Sequence, residues 1–90
     1  MKALAAKWVK AGWKPCDGFA VEAYTRSIGG EEQVVSQTPS RTHWRLVIES
    51  FDPTRIFSSA MTVVDGRHSE RIGDSLHSTM VEAFEAAEDK

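Results

Sequence analysis

Ninety residues, 41% hydrophobic and 27% charged, suit a single domain with one core that folds without disulfides or metals, and they exclude wholesale disorder. The lone Cys16 excludes an intrachain disulfide and fits a reducing compartment. The net charge of −2 is unevenly spread: residues 1–45 hold seven Lys/Arg against four Asp/Glu, and residues 46–90 hold four against nine. Such asymmetry marks either a partner-binding charge pattern or two helices with solvated outer faces.

Residues 2–12, "KALAAKWVKAG", have the period of a helix, with Leu4, Ala5, Trp8 and Val9 on one arc and Lys7, Lys10 and Lys14 opposite. Lysines at 2, 7, 10 and 14 break any apolar run long enough for a signal peptide or membrane span, so a cytoplasmic location is expected. Gly12 ends the helix, Pro15 prevents its resumption, and Trp13 is expected to fold back onto the core. From Phe19 the period becomes two, with Phe19, Val21 and Ala23 on one face of a strand and Glu22, Tyr24 and Arg26 on the other. Gly29-Gly30 is a two-residue hairpin turn, and "EEQVVSQT" is its return arm or a polar loop. Pro39-Ser40 marks a further turn. The strand "RTHWRLVIESF" follows, with Thr42, Trp44, Leu46 and Ile48 facing the core and Arg41, His43, Arg45, Val47 and Glu49 facing away. It is expected to be central and antiparallel.

Residues 52–66, "DPTRIFSSAMTVVDG", allow two readings. Asp52-Pro53 is a helix start, and Ile56, Phe57, Ala60, Met61 and Val64 repeat at helical spacing. The β-branched run ending in Asp65-Gly66, with "RHSERI" returning, favours strand–turn–strand. Asp74 or Ser75 is expected to cap a last helix reaching about Glu88, with Leu76, Met80, Ala83, Phe84 and Ala87 as its apolar stripe and Glu82, Glu85 and Asp89 on its outer side. The fold class is therefore α+β: an N-terminal helix, an antiparallel meander of three to five strands and a C-terminal helix, forming a two-layer sandwich.

Chemistry-bearing spacings are absent. Cys16, His43, His68 and His77 lack zinc-ligand spacing, so neither metal nor cofactor is expected. Cys16 with His43 has no diagnostic neighbours of a nucleophile, and Asp74, Ser75 and His77 are better explained as a helix start than as a triad. "SIGGEE" lacks the lysine and spacing of a phosphate loop. No enzymatic activity is expected.

Helix–strand–strand–strand–helix order resembles the double-stranded-RNA-binding domains. That family presents lysines at the start of its second helix, where this chain has "GDSLHS" followed by acids. What remains for nucleic acid is a basic patch of Lys7, Lys10 and Lys14 with Arg41 and Arg45. The leading expectation is a protein–protein binding module that acts by occlusion. Its contact would be the open sheet face carrying Tyr24, Arg26, Arg41, His43, Arg45 and Val47. The acidic patch Glu82, Glu85, Asp89 offers a second contact for a basic partner, and a homodimer through the open face or an edge strand satisfies the same pattern. Size and charge layout are similar in style to accessory proteins of phages and mobile elements that inhibit a host nucleoprotein machine, anti-CRISPR proteins among them. No motif carries that likeness to a family.

Overall fold

The computed structural model describes residues 4–51, 61–64 and 67–89. A short helix α1 (Ala6–Lys10) ends where expected, at Gly12, whose φ of 102° lies in the left-handed region. The Gly12 amide donates to the Val9 carbonyl and the Trp13 amide reaches back to the Trp8 carbonyl. This is the paired bond set of a glycine-stopped helix, and it turns Trp13 towards Trp8 and into the core. Trp8 and Trp13 are both buried, whereas Val9, expected on the apolar arc, is exposed. A helix this short contributes one anchoring turn: Trp8 is its buried residue, and Leu4 before it and Ala11 after it pack against the core.

Six strands follow: β1 (Lys14–Pro15), β2 (Ala23–Ile28), β3 (Glu31–Gln37), β4 (Trp44–Phe51), β5 (Met61–Val64) and β6 (Arg67–His77), and then α2 (Met80–Glu88). Five of them make the expected antiparallel sheet between two helices, and Lys14–Pro15 adds a two-residue edge. Gly29 and Gly30, with φ of 56° and 82°, form the tight link between Ile28 and its partner Glu31. The polar segment after them is strand, not loop. Strand order in the sheet is β1-β2-β3-β4-β6-β5, so the meander holds as far as β4, after which β6 lies between β4 and β5. β4 is thus central and antiparallel, as its sequence implies. Met61–Val64 pairs with residues 67–70 as the strand–turn–strand reading requires. Residues 52–60 and 65–66, which carry the alternative helix start and the expected turn, lie outside the described residues, as do residues 1–3.

β6 runs through residues 73–77, where a helix start is expected from the sequence. Asp74 and Ser75 are therefore strand residues, and the cap is Thr79: its hydroxyl accepts from the Glu82 amide at 3.1 Å, while Glu82 accepts from the Ser78 amide at 3.2 Å. Together the two bonds satisfy one donor of the first helical turn and the amide just before the cap, and they contribute about 1 kcal/mol. Leu76 leaves the helical stripe, while Ala83, Phe84 and Ala87 keep their places in it.

Register defines the two sheet faces. Tyr24, Val35, Leu46 and Ser75 lie in one cross-strand row, and Arg26, Gln33, Ile48 and Gly73 in the next. Both helices pack on this face, around Phe84, whose ring lies 4.9 Å from Trp8, 4.7 Å from Trp13 and 5.8 Å from Tyr24. At Gly73 the missing side chain is a packing requirement, because a Cβ there would stand 3.2–3.4 Å from three atoms of Ile48. Gly73→Ala is expected to lower stability by about 1–2 kcal/mol through this overpacking. A urea titration reads the loss as a lower midpoint with an unchanged slope.

Candidate functional site

The face away from the helices carries the rows Ser36, Arg45, Leu76 and Val34, Val47, Asp74, followed by Glu32, Glu49, Arg71. Between the last two rows β6 has one residue more than β4. Ile48 pairs with Gly73 and Glu49 with Arg71, leaving Ile72 as a bulge without a cross-strand partner. Leu76 is 61% exposed and Ile72 49%, and Val34 and Val47 are half-buried between them and the neighbouring strands. Arg45 forks onto Asp74, with Nε 2.8 Å from Oδ1 and Nη2 on Oδ2, and Arg71 reaches the same carboxylate at 3.4 Å. The hydrogen bonds from Arg45 hold the Asp74 carboxyl below the usual carboxylate range, and the same contact raises the guanidinium. The cluster is exposed, so as a stability element it contributes less than about 1 kcal/mol. As a surface it is a fixed polar group beside apolar side chains, with Glu49 and Glu32 in the row of Arg71 adding two further carboxylates to the face.

The expected contact residues do not all lie on this face. Arg45 and Val47 do. Arg41 and His43 sit at its end, in the turn 38–43 that precedes β4. Arg41 there has a φ of 61° and its amide donates to the Thr38 carbonyl, while the His43 Nδ1 lies 2.9 Å from the Thr42 hydroxyl. Tyr24 and Arg26 are corrections: they project from β2 under the helices and are 2% and 6% exposed. The phase inferred from Phe19 and Val21 fails because the strand begins only at Ala23, and Phe19 is exposed.

Arg26 is held on every side. Its Nε donates to Gln33 Oε1 at 2.6 Å and its Nη1 to Glu88 Oε1 at 2.7 Å, while Nη1 and Nη2 reach the carbonyls of Ala11 and Ala87 at 3.2 and 3.5 Å. The guanidinium also lies 5.0 Å from the Trp13 ring centroid. It closes the C-terminal ends of both helices, where a cation is favoured, and is not offered to a partner.

Tyr24, the chain's sole tyrosine, is pushed up to about 12 by burial and by its 2.6 Å hydrogen bond to Glu22. Folding favours the protonated phenol, so this contribution is complete below about pH 10 and is lost as pH rises towards 12. Phenolate absorbance is expected to appear near pH 12 in the native protein and about two units lower in denaturant, with stability falling across that window by at most about 1.4 kcal/mol per pH unit.

The basic groups are not brought together. Lys7 and Lys10 lie on α1, Lys14 on the edge strand β1, and Arg45 on the far side of the sheet. Lys7 sits 4.4 Å over the Trp8 ring and lines a groove with Ala11, Glu85, Glu88 and Asp89. The acidic outer side of α2 thus flanks the lysine. Glu82, Glu85 and Asp89 are exposed as expected, but Glu82 also serves the helix cap.

Ser75 Oγ and His77 Nε2 lie 2.7 Å apart on the helix-covered face, whereas Asp74 points to the other face and is taken by Arg45. Strand alternation separates the three, so no triad forms. Cys16 is half-buried beside β1, its amide on the Ala23 carbonyl, and no hydrogen bond joins it to His43. Among the described residues no three His, Cys, Asp or Glu converge as a metal site, and no helix is long and apolar enough to cross a membrane.

Ile72 and Leu76 are the site residues that the sequence reading leaves out. Their signal is the alternation Ile72, Asp74, Leu76 within "RIGDSLH", hidden because Leu76 also falls in helical phase with Met80. Comparison with protein-family models, curated proteins and solved structures finds no match to this chain.

Proposed function

We propose that this chain is a small non-enzymatic binding module that contacts another protein through the sheet face left uncovered by its helices. The observation that carries this reading is the exposure of Leu76, at 61%, beside the fixed Arg45–Asp74–Arg71 cluster and Val47 on one face. Aliphatic groups framed by arginines suit a protein interface, where apolar area supplies contact and charge orients the partner. The mode of action is occlusion of the partner's own working surface. The setting proposed is the cytoplasm, with a host nucleoprotein machine as the target, in the manner of phage and mobile-element accessory proteins.

The test compares the tagged chain with its Val47→Asp variant in lysate of the source cells, with and without nuclease. A stoichiometric protein that survives nuclease and is lost from the variant supports the reading. A signal that disappears with nuclease replaces it with nucleic-acid binding. Lys7, Lys10, Lys14, Arg41 and Arg45 are then the positions to reverse, and a steep salt dependence is expected.

A further inference from the structure

Five positions among the described residues have a positive φ, and four of them are glycines: Gly12, Gly18, Gly29 and Gly30. The fifth is Arg41, at 61°. A side chain in this left-handed region crowds the backbone, so the position suits glycine, and an arginine there lowers stability. Its conformation is fixed by the turn. The Arg41 amide donates to the Thr38 carbonyl at 2.8 Å, the Thr38 amide to the His43 carbonyl at 2.9 Å and the His43 amide to the Thr38 hydroxyl at 3.3 Å. The hydroxyls of Thr38, Ser40 and Thr42 then run on to His43 Nδ1 in steps of 3.1, 2.8 and 2.9 Å. No contact within the fold offsets the cost. The Arg41 side chain is exposed and makes no hydrogen bond, ion pair or ring contact with the described residues. A charge kept for solubility alone has exposed places without positive φ on either side, at Ser40 and Thr42. Residues held in such conformations recur where a ligand needs the side chain.

Building on the proposed binding function, we infer that the turn 38–43 belongs to the interface and that Arg41 takes a carboxylate of the partner protein. The chemistry follows from what surrounds the guanidinium. Residues 36–45 contain no acid. Glu22, whose carbonyl takes the Gln37 amide at the end of β3, has its carboxylate on the Tyr24 hydroxyl, and Asp74 holds Arg45. Segments 52–60 and 65–66 join the sheet at its other end, through Phe51, Met61, Val64 and Arg67. At about 3.3 Å per residue, Phe51 is roughly 23 Å along β4 from Trp44. Residues 1–3 carry no acid either. The donors of the planar guanidinium are therefore open to a group that offers two acceptors in one plane, which a carboxylate does. A nucleic-acid backbone fits poorly, because it needs a track of cations. Lys7, Lys10 and Lys14 lie on α1 and β1, and Arg45 is held by Asp74.

Two variants of the full-length chain test this. Arg41→Gly is expected to raise the thermal midpoint by about 2–4 °C, because it removes the strain. The same variant should weaken capture of the nuclease-resistant protein from lysate of the source cells about tenfold or more, as loss of an anchoring arginine does. Arg41→Lys puts an amine at the same place. A carbodiimide activates a carboxylate and leaves as its urea, so that amine forms an amide only with a carboxylate it touches. Peptide mapping is expected to show position 41 joined to an Asp or Glu of the captured protein. A lower thermal midpoint for Arg41→Gly would put Arg41 in the service of the fold and overturn the inference. So would a captured protein that joins the chain only through Lys7, Lys10 or Lys14, or a link from position 41 to a second copy of this chain. Capture that is lost with Val47→Asp but kept with Arg41→Gly removes the turn and leaves the protein-binding reading standing on the sheet face. Absence of any nuclease-resistant partner removes that reading itself, and the inference with it.

Discussion

Replacing Phe84 by alanine is expected to cost about 4 kcal/mol, a large share of the 5–15 kcal/mol that holds a domain of this size together. Phe84 is fully buried on α2 and touches the rings of Trp8, Trp13 and Tyr24. Through these rings it joins α1, the loop after it, the sheet and α2. Truncation removes the transfer free energy of the ring, leaves a cavity bounded by three rigid aromatic groups that close poorly, and forfeits three aromatic contacts of about 0.5–1.5 kcal/mol each. The thermal midpoint should fall by about 20 °C. Phe84→Leu keeps much of the volume and should cost about half as much. If Phe84→Ala melted within a few degrees of the parent, the aromatic cluster would not be the core. Tryptophan emission follows the outcome directly, because two of the three tryptophans, Trp8 and Trp13, lie against this ring.

The helix that carries Phe84 was legible in the sequence because Met80, Ala83, Phe84 and Ala87 recur at helical spacing on a face with one environment. β4 was legible for the matching reason: Leu46 and Ile48 face the core and Arg45 and Glu49 do not, so alternation is a sufficient signal. Two elements defeat that logic. Ala23, Tyr24, Thr25 and Arg26 are all buried, so β2 has no exposed face from which to take its phase. Thr25, on the side away from the helices, is covered by Glu32, to which its hydroxyl donates at 2.7 Å. Periodicity places the start of α2 too early because Leu76 lies four residues before Met80 and extends the helical period backwards into a strand. The real boundary is local chemistry, Thr79 followed three residues later by Glu82, which outweighs periodicity at a helix end. The candidate face was half visible for the same reasons. Arg45 and Val47 follow from β4, whereas Leu76 and Ile72 require β6 to be known as a strand through His77.

Arg26→Met is expected to cost about 3 kcal/mol, although it keeps an unbranched stem to pack against Trp13 and adds no polar group. Sequence alone makes Arg26 a surface residue, since the partners that justify its burial, Ala87 and Glu88, lie 61 and 62 positions away. In the fold its guanidinium is only 6% exposed and answers four acceptors: Gln33 on the neighbouring strand, the carbonyl of Ala11 after α1, and the carbonyl of Ala87 and carboxylate of Glu88 on α2. Removing it leaves Gln33 Oε1 without its donor and the ends of both helices without a cation, and desolvated acceptors left without donors cost about 1–3 kcal/mol each. Glu88 is 45% exposed and regains water, which keeps the total below that of a fully buried pair. Arg26→Lys should recover only part of the loss, because an ammonium cannot address Gln33, Glu88 and two carbonyls from one planar fork. Glu88→Gln should be nearly neutral, within about 1 kcal/mol, since it keeps an acceptor at a half-exposed position. This ordering, Arg26→Met worst, Arg26→Lys intermediate and Glu88→Gln close to the parent, separates a hydrogen-bonded clamp from a simple ion pair, for which Arg26→Met and Glu88→Gln would cost alike. Urea midpoints for the three variants decide between them, and equal losses would remove the clamp.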